Sequence, residues 1–275
     1  MLTGSSSNST GVLAALLEAR TGHQLASNRA WRIDTALKPL LRERELDDVD
    51  ALVSQLLSGE DPVLADRIVD ALLNQETSFF RDAAVFETVA EAVDALAPDR
   101  RARIWCAGCS TGQEPLSVAM LLAERRPAAA PFEILATDVS DGALARARAG
   151  RYSQFEIQRG LPVRRMLRWF EAGAADWAAI PELMRYLTFR RLNLVADQPP
   201  SGRFDLILCR NVLLYLAPPQ RQAVFERLHS ALRPGGLLLL GAGETVIGQT
   251  DAFQPSPRFR GFYEAPGGGE GRVAA

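Results

Sequence analysis

The residues whose types and spacing could do chemistry are concentrated in the stretch from Arg103 to Ser117, RIWCAGCSTGQEPLS. An apolar run that predicts a short β-strand leads into a loop bracketed by Gly108 and Gly112. A helix is predicted to begin at Gln113-Glu114-Pro115. Glycines let the backbone approach a ligand closely, and a helix N-terminus presents free N–H groups. A strand, a glycine loop and a helix start in this order predict a nucleotide-type binding corner.

The spacing within this corner narrows the class of ligand. The dinucleotide fingerprint is Gly-x-Gly-x-x-Gly, whereas the chain has Gly108-x-x-x-Gly112 and no Gly-Lys-Ser/Thr ending of a phosphate loop. Glu114 would repel phosphate but suits an ammonium group. Asp138 ends the next predicted strand, where it can accept hydrogen bonds from ribose hydroxyls. A ligand with a ribose, an amino group and no phosphate matches S-adenosylmethionine (SAM). Alternatively, Glu114 favours the helix dipole and Asp138 caps the following helix.

Composition bounds the class of protein. The 275 residues are 47% hydrophobic, enough for one large domain or for a large and a small one. The net charge of −2 argues against a general nucleic-acid binder. Three cysteines are too few for a disulfide scaffold and fit a reducing cytoplasm. Cys106-x-x-Cys109 resembles half a zinc or redox motif, but no second pair exists, so we predict no metal site. The N-terminus lacks the features of a signal peptide and no apolar run is bilayer-length, so we expect a cytoplasmic protein without membrane insertion.

Strands and helices alternate around the glycine corner, from about Asp82 to Glu264. The run Phe204–Cys209 is continuously apolar, as buried parallel strands are. The other strands that we predict lie at 132–137, 186–189, 237–241 and 260–264. A helix from Pro218 to Leu232 is predicted to end in Arg233-Pro-Gly-Gly236. This alternation predicts an α/β fold with a doubly wound parallel sheet and helices on both faces.

Three other regions depart from this alternation. Residues 1–9 are rich in Ser, Thr and Asn and are predicted to be disordered, and residues 266–275 are predicted to be a flexible tail. Residues 10–76 have helical periodicity and predict a small N-terminal bundle. Its third helix is predicted to be capped by Asp47 or Asp48 and to end at Gly59, and its fourth helix is predicted to begin at Asp61-Pro62. Within residues 165–185, two aromatic pieces flank an Ala/Gly turn and predict a small antiparallel insertion. Its aromatic residues are expected either in the core or in an exposed hairpin used for docking.

The charge of the predicted bundle is uneven. Residues 20–44 contain six basic and two acidic residues, a balance of +4, whereas residues 45–73 contain one basic and eight acidic residues, a balance of −7. Basic residues flank the apolar stripe of the second helix, Arg29 and Arg32 on one side and Lys38 and Arg42 on the other. This surface is either a solvated helix face or a basic surface for an acidic protein partner.

Six segments, in this order, resemble the CheR-type chemotaxis receptor methyltransferases: NQETSFFRD, RIWCAGCSTGQEPLS, ILATD, RLNLV, FDLILCRNVLLYL and LRPGGLLLLGAGET. The resemblance runs from about Thr10 to Glu264, and TSFFRD and CRNVLLY are its most specific parts. It implies a SAM-dependent methyltransferase domain over residues 77–265, preceded by a small helical domain. It also implies methyl transfer from SAM to glutamate side chains in the cytoplasmic helical region of bacterial chemoreceptors, with S-adenosylhomocysteine as product. We expect the enzyme to be a monomer.

The resemblance also implies roles for individual residues. The expected cofactor-binding residues are Gln75, Thr77, Arg81, Gly108, Glu114, Asp138, Asn193, Leu194, Arg210 and Asn211. The catalytic candidates are Arg81 and Tyr215, which would orient the substrate carboxylate. The alternative for Arg81 is that it bonds only cofactor and neighbouring backbone. The chain departs from the family pattern at Gln75, Gln113 and Leu116, which replace an asparagine, an acid and a tyrosine, and each change could weaken SAM binding or alter the receptor choice.

The expected reaction needs no general base. A glutamate side chain has an ordinary pKa of about 4.3, so it is already an anion at neutral pH. This agrees with a sequence whose two histidines, His23 and His229, lie outside every motif and are interpreted as surface or packing residues. Two alternatives stay open, a SAM-binding sensor or adaptor without turnover and a methyltransferase for a nucleic acid or small molecule. Against the second, Arg210-Asn-Val-Leu-Leu-Tyr215 stands where amino-methylating enzymes often carry Asn/Asp-Pro-Pro-Tyr/Phe.

Overall fold

The computed structural model describes residues 7–25, 31–126 and 131–266 of the chain. They form two compact units, one containing the described residues up to Asn74 together with Tyr215–Ala217, and the other containing those from Gln75 onward except these three. The predicted N-terminal domain ended two residues later, at Glu76, and did not include Tyr215–Ala217. Of the predicted disordered stretch, residues 1–6 lie outside the described residues, whereas 7–9 are helical, which corrects that prediction. Of the predicted tail, residues 267–275 lie outside the described residues.

Among its described residues, the first unit contains four helices, α1 (Ser7–Thr21), α2 (Trp31–Glu43), α3 (Val49–Ser58) and α4 (Leu64–Leu72). Helices α1 and α2 each pack against both α3 and α4. Their apolar stripes form the core of this helical unit, which includes Leu13, Leu17, Ile33, Leu37, Leu52, Leu64 and Ile68. Burial of these stripes holds short helices that would be marginal alone.

The ends of α3 are those predicted from the sequence, and the start of α4 is not. The carboxylate of Asp48 accepts the N–H of Ala51 at 2.8 Å, and Gly59 closes α3 with a φ of 70°. The fourth helix was expected to begin at Asp61-Pro62. The Asp61 carboxylate instead accepts the N–H of Val63 at 3.0 Å in a turn, and the helix begins at Leu64.

In the part of the chain that the structure describes, the second unit, here called the α/β unit, contains ten strands in two sheets. Its strands are β1 (Ala102–Ala107), β2 (Phe132–Asp138), β3 (Arg151–Ser153), β4 (Phe170–Ala172), β5 (Asp176–Ala179), β6 (Leu187–Arg191), β7 (Phe204–Cys209), β8 (Leu232–Leu240), β9 (Gln254–Pro255) and β10 (Phe262–Glu264). Its helices are α5 (Ala84–Leu96), α6 (Gln113–Arg125), α7 (Asp141–Ala149), α8 (Gln154–Gln158), α9 (Val163–Trp169), α10 (Pro181–Met184) and α11 (Pro218–Ala231). The larger sheet has the order β6-β2-β1-β7-β8-β10-β9, parallel from β6 to β8 and antiparallel at β10 and β9. The predicted α/β fold class is confirmed.

Strand β8 begins earlier than the sequence predicts. Leu232 already pairs with Phe204, where the last residue of a helix was expected. The register then shifts, and Leu237–Leu240 pair with Leu206–Cys209. Because Pro234 has no N–H to donate, the Pro-Gly-Gly segment bulges out of the ladder rather than ending a helix.

The smaller sheet is antiparallel with the order β3-β5-β4, and it is the predicted insertion. The hairpin β4–β5 was expected, but β3 was not, because three residues after a helix-ending glycine carry little strand signal. The aromatic residues before and at the start of β4, Trp169 and Phe170, are buried and so pack in the core. Trp177 is half-buried, and its Nε1 donates to Gln154 at 2.7 Å.

Within the described part of the chain, no helix combines the length and the apolarity needed to cross a bilayer.

Candidate active site

The sheet order brings three predicted motifs to one edge. From β1 the sheet extends through β2 and β6 on one side and through β7 and β8 on the other. In open α/β sheets, ligands bind at the carboxyl ends of the strands where the order reverses, here between β1 and β7. The glycine loop follows β1, Asp138 ends β2, and Arg210-Asn211 follows β7. These loops therefore surround one crevice.

The glycine loop requires glycine for steric reasons. Gly108 and Gly112 have φ values of 84° and 96°, which residues with a side chain rarely adopt. A Cβ on Gly108 would lie 2.3 Å from Val212 Cγ2, so the loop after β1 touches the loop after β7. The N–H groups of Gly108 and Cys109 both donate to the carbonyl of Thr137, at 2.8 and 2.9 Å. The loop is thus fixed against both neighbouring strand ends.

A buried ion pair lies at the start of α6. Arg210 Nη1 donates to Glu114 Oε2 at 3.1 Å, and the two side chains are 3% and 14% exposed. Arg210 Nη2 donates to Asp82 at 2.6 Å and to the carbonyl of Arg81 at 3.1 Å. Burial raises the pKa of Glu114, while Arg210 opposes that rise. The pair connects the glycine corner, the TSFFRD segment and the loop after β7.

The residues at this edge fit the methionine end of SAM. Glu114 offers a carboxylate for an ammonium group. Arg210 Nε is buried and has no hydrogen-bond partner among the described residues, which fits an acceptor supplied by a ligand, such as a carboxylate. The amino-acid end of SAM carries both an ammonium group and a carboxylate. Glu114 and Arg210 are therefore complementary to its two charges.

Asp138 is held at the end of β2 by two backbone groups. Its carboxylate oxygens accept the N–H of Ser110 at 2.8 Å and the N–H of Ser140 at 3.0 Å. The N-cap of α7 is Ser140, whose side chain accepts the N–H of Ala143. Asp138 is therefore not the cap, contrary to the alternative that the sequence left open. Because each carboxylate oxygen has two lone pairs, Asp138 can also accept from ribose hydroxyls.

The segment from Gln75 to Asp82 runs along the glycine loop. The carbonyl of Gln75 accepts from Ser110 Oγ at 2.9 Å, and its side chain donates to Ser140 Oγ at 3.3 Å. Thr77 and Arg81 are half-buried in the same segment, and the guanidinium of Arg81 makes a long 3.5 Å contact with the carbonyl of Glu76. Thr77 and Arg81 therefore lie in the segment that Gln75 connects to the glycine loop.

Asn193 and Leu194 follow β6, the strand that pairs with β2. The Asn193 side chain accepts the N–H of Val195 at 2.9 Å, and Arg227 donates to the carbonyl of Leu194 at 2.9 Å. These bonds build a tight turn beside the strand end that carries Asp138, because Asp138 pairs with Arg191. The contribution of this turn to adenine binding stays a prediction.

Sequence reasoning missed Glu244. Its carboxylate accepts four backbone N–H groups at 2.7 to 3.2 Å, from Asn211, Val212, Leu214 and Gly241. The acid was visible in LGAGET, but nothing local indicates that three of its four partners lie about thirty residues earlier. Glu244 therefore sets the shape of the loop that carries Asn211.

Backbone strain is concentrated at the same edge. Of five described non-glycine residues with positive φ, four lie in the TSFFRD segment, the glycine loop and the loop after β7: Phe80 at 48°, Asp82 at 60°, Ser110 at 50° and Asn211 at 59°. Such conformations persist where the surrounding structure enforces them, and they cluster at functional sites. The edge is therefore built to hold a fixed geometry.

Tyr215 is grouped with the helical unit, unlike the other ten predicted site residues. It ends a 3₁₀ turn, Leu213–Tyr215, and its phenol oxygen accepts from Asn74 Nδ2. Its ring centroid lies 5.5 Å from that of His23, and its carbonyl accepts the N–H of Gln24 at 2.8 Å. The helical unit thus holds the residue predicted to face the substrate.

The cysteines are buried thiols. Cys106, Cys109 and Cys209 are free, and burial raises the pKa of each. Among the residues that the structure describes, no three His, Cys, Asp or Glu side chains are arranged to hold a metal ion.

Comparison with known proteins gives a consistent result. The family model described as "CheR methyltransferase, SAM binding domain" matches residues 75–261. The chain is 36% identical over 245 residues to a chemotaxis protein methyltransferase of Vibrio anguillarum, covering 86% of this chain and 89% of that protein. It is 35% identical over 251 residues to chemotaxis protein methyltransferase 1 of Pseudomonas aeruginosa, covering 86% and 90%. Chemotaxis protein methyltransferase 1 of Vibrio cholerae is 36% identical over 245 residues, with coverage of 86% and 89%.

Proposed function

The chain belongs to the CheR methyltransferase family, and on that premise we propose that it transfers a methyl group from SAM to glutamate side chains of bacterial chemoreceptors. The observation that carries the proposal is the buried pair of Arg210 and Glu114. Arg210 also donates to Asp82, and so the family-specific motifs TSFFRD and CRNVLLY are both connected to the cofactor corner. The expected location is the cytoplasm and the expected state is a monomer.

SAM is the cofactor, and it supplies a methyl group on a positively charged sulfur. Glu114 would receive the ammonium group of its methionine end. Arg210 opposes the rise that burial causes in the pKa of Glu114, which favours the charged carboxylate. Asp138 would accept hydrogen bonds from the ribose hydroxyls. The positive φ of Gly108 and Gly112 lets the loop backbone approach the ligand.

On the substrate side, the task of the protein is alignment. The substrate carboxylate is an anion at neutral pH and loses charge as the methyl is transferred, so a strong cationic clamp would slow attack. Positioning alone supplies about 7–11 kcal/mol in well-aligned reactions. We assign this positioning to Arg81 and Tyr215, with Arg81 orienting the carboxylate weakly rather than binding it tightly.

The exposed basic residues of α2 favour an acidic protein segment as the binding partner. Arg20 and Arg44 pair with Asp66 and Asp61 inside the helical unit. Lys38 and Arg42 are exposed and have no ion pair among the described side chains.

These two residues lie four residues apart and so share one helix face. A receptor segment that presents several glutamates is the complementary partner, which is why we favour the docking interpretation of this face over a merely solvated one.

The proposal is tested with labelled SAM and receptor-containing membranes. A base-labile label on a receptor-sized band, absent with Glu114→Gln, supports it. Label that appears in RNA or in a small molecule refutes it, and SAM binding without any transfer favours the sensor or adaptor alternative.

A further inference from the structure

The residues Tyr215–Ala217, here called the strap, form part of the helical unit although the chain on both sides belongs to the α/β unit. Leu216 forms an antiparallel bridge with His23, and the Gln24 N–H donates to the carbonyl of Tyr215 at 2.8 Å. The strap is therefore joined by an isolated β-bridge to the residues that follow α1.

Two side chains of the helical unit fix the side chain of Tyr215. The ring of His23 lies 5.5 Å from the phenol ring, tilted by 34°. Asn74 donates from Nδ2 to the phenol oxygen. One contact sets the plane of the ring and the other sets the position of the oxygen.

His23 is itself held in place. The backbone N–H of His23 donates to Thr21 Oγ1 at 3.1 Å. The Thr21 hydroxyl in turn donates to the carbonyl of Leu17 at 2.7 Å, near the end of α1. Burial lowers the pKa of His23 to about 4, so its ring is neutral at physiological pH. The contact with Tyr215 is therefore made by an uncharged imidazole.

We propose that His23 and Asn74 are positioning residues that orient Tyr215 for methyl transfer. This rests on the proposed function. Because Asn74 donates to the phenol oxygen, the hydroxyl keeps its own proton to donate to one oxygen of the substrate carboxylate. A neutral phenol orients the other oxygen toward the methyl without stabilising the anion as strongly as a cation would.

The kinetic test compares His23→Ala, His23→Phe and Asn74→Ala with the wild type. Loss of alignment predicts that His23→Ala and Asn74→Ala lower kcat about tenfold or more, with SAM affinity within about threefold of wild type. His23→Phe keeps an aromatic ring against Tyr215 and is expected to retain most of the activity. Leu57→Ala, a truncation of a 70% exposed residue in the same unit, is the control for general effects on the bundle.

A second readout does not depend on any substrate. The chain has four tyrosines, so 3-fluorotyrosine labelling gives four ¹⁹F resonances, and Tyr215→Phe identifies the one from the strap. His23→Ala and Asn74→Ala are expected to shift or broaden that resonance, whereas Leu57→Ala leaves it in place.

The two readouts separate the inference from the proposed function. An unchanged Tyr215 resonance together with unchanged kcat in both His23→Ala and Asn74→Ala overturns the positioning role. If the wild type methylates no receptor while the resonance still responds to these substitutions, the proposed function fails and the hold on Tyr215 stands.

Discussion

Arg210 Nη1 donates to Glu114 Oε2 across 3.1 Å, and this pair joins two motifs that lie 96 residues apart in the sequence. Both side chains are largely buried, so neither charge is well solvated. The pair is therefore both a structural link and the means by which an acid at the cofactor corner stays ionised.

Removal of the cation from this pair is expected to damage stability and binding together. Arg210→Met leaves Glu114 buried without its partner, which is expected to lower the free energy of unfolding by about 3–5 kcal/mol. Urea denaturation measures this loss, and calorimetry should show that SAM binding is lost as well.

The double variant Arg210→Met/Glu114→Leu separates the two effects. With neither charge present, stability is expected to recover while SAM binding does not. A single variant that is as stable as wild type and still binds SAM would contradict the structural role of the pair.

The pH dependence of SAM binding reports on Glu114. Burial raises the pKa of Glu114 above the ordinary glutamate value. In the pH window between these two values, Glu114 of the folded protein binds a proton that an ordinary glutamate would already have lost. The protonated form cannot attract an ammonium group, so SAM affinity is expected to fall as the pH is lowered through this window. Calorimetric titrations over a pH series measure it. Glu114→Gln should bind weakly with no such dependence, and an identical pH profile in that variant would rule out Glu114 as its source.

The sign for folding stability is the opposite of that for binding. Since the folded state holds the Glu114 proton to a higher pH than the unfolded state does, this residue makes the fold less stable as the pH rises through the same window. The comparison of urea denaturation between wild type and Glu114→Gln isolates that contribution.

Glu244 is expected to control the loop after β7. Glu244→Gln keeps the shape of the side chain but replaces one accepting oxygen by an amide group that faces backbone N–H donors. Loss of charge-assisted hydrogen bonds predicts a loss of about 2–3 kcal/mol in the free energy of unfolding, and weaker SAM binding. Glu226→Gln, on the exposed side of α11, is the matched control. Equal stability and SAM affinity in the two variants would show that the carboxylate does not hold the loop.

Gly108→Ala tests the close approach of the two loops. The new Cβ would meet Val212 Cγ2 at 2.3 Å and sit at a φ of 84°, so we expect a cost of about 1–3 kcal/mol and reduced SAM affinity. Val212→Ala in the same chain removes the clash and should recover part of both losses, leaving the backbone cost. Gly243→Ala, with nothing within 4 Å, is the control and should behave as wild type.

The regular part of the fold could be predicted because its signals are local. The apolar run of β7 was predicted at its observed bounds, and Gly59 ends α3 as expected. The bulge at Pro234 and the strand β3 were missed because both depend on a pairing partner elsewhere in the chain.

The candidate site divides in the same way. Glu114 and Asp138 could be found from their places at a helix start and a strand end. The partnership of Glu114 with Arg210, the clamp by Glu244 and the hold of His23 on Tyr215 could not, since each joins residues far apart in sequence. Residue types indicate which groups are available, whereas the fold decides which of them are committed to one another.

The most direct test of the central claim is peptide mass spectrometry of a purified chemoreceptor cytoplasmic fragment after incubation with SAM and this protein. The account predicts base-labile methyl esters on glutamates of the helical region. We also predict their loss with Arg81→Ala at nearly wild-type stability, because the hydrogen bond from the Arg81 side chain to the carbonyl of Glu76 is long, at 3.5 Å. An unmodified fragment, or methylation at wild-type rates by Arg81→Ala, would contradict it.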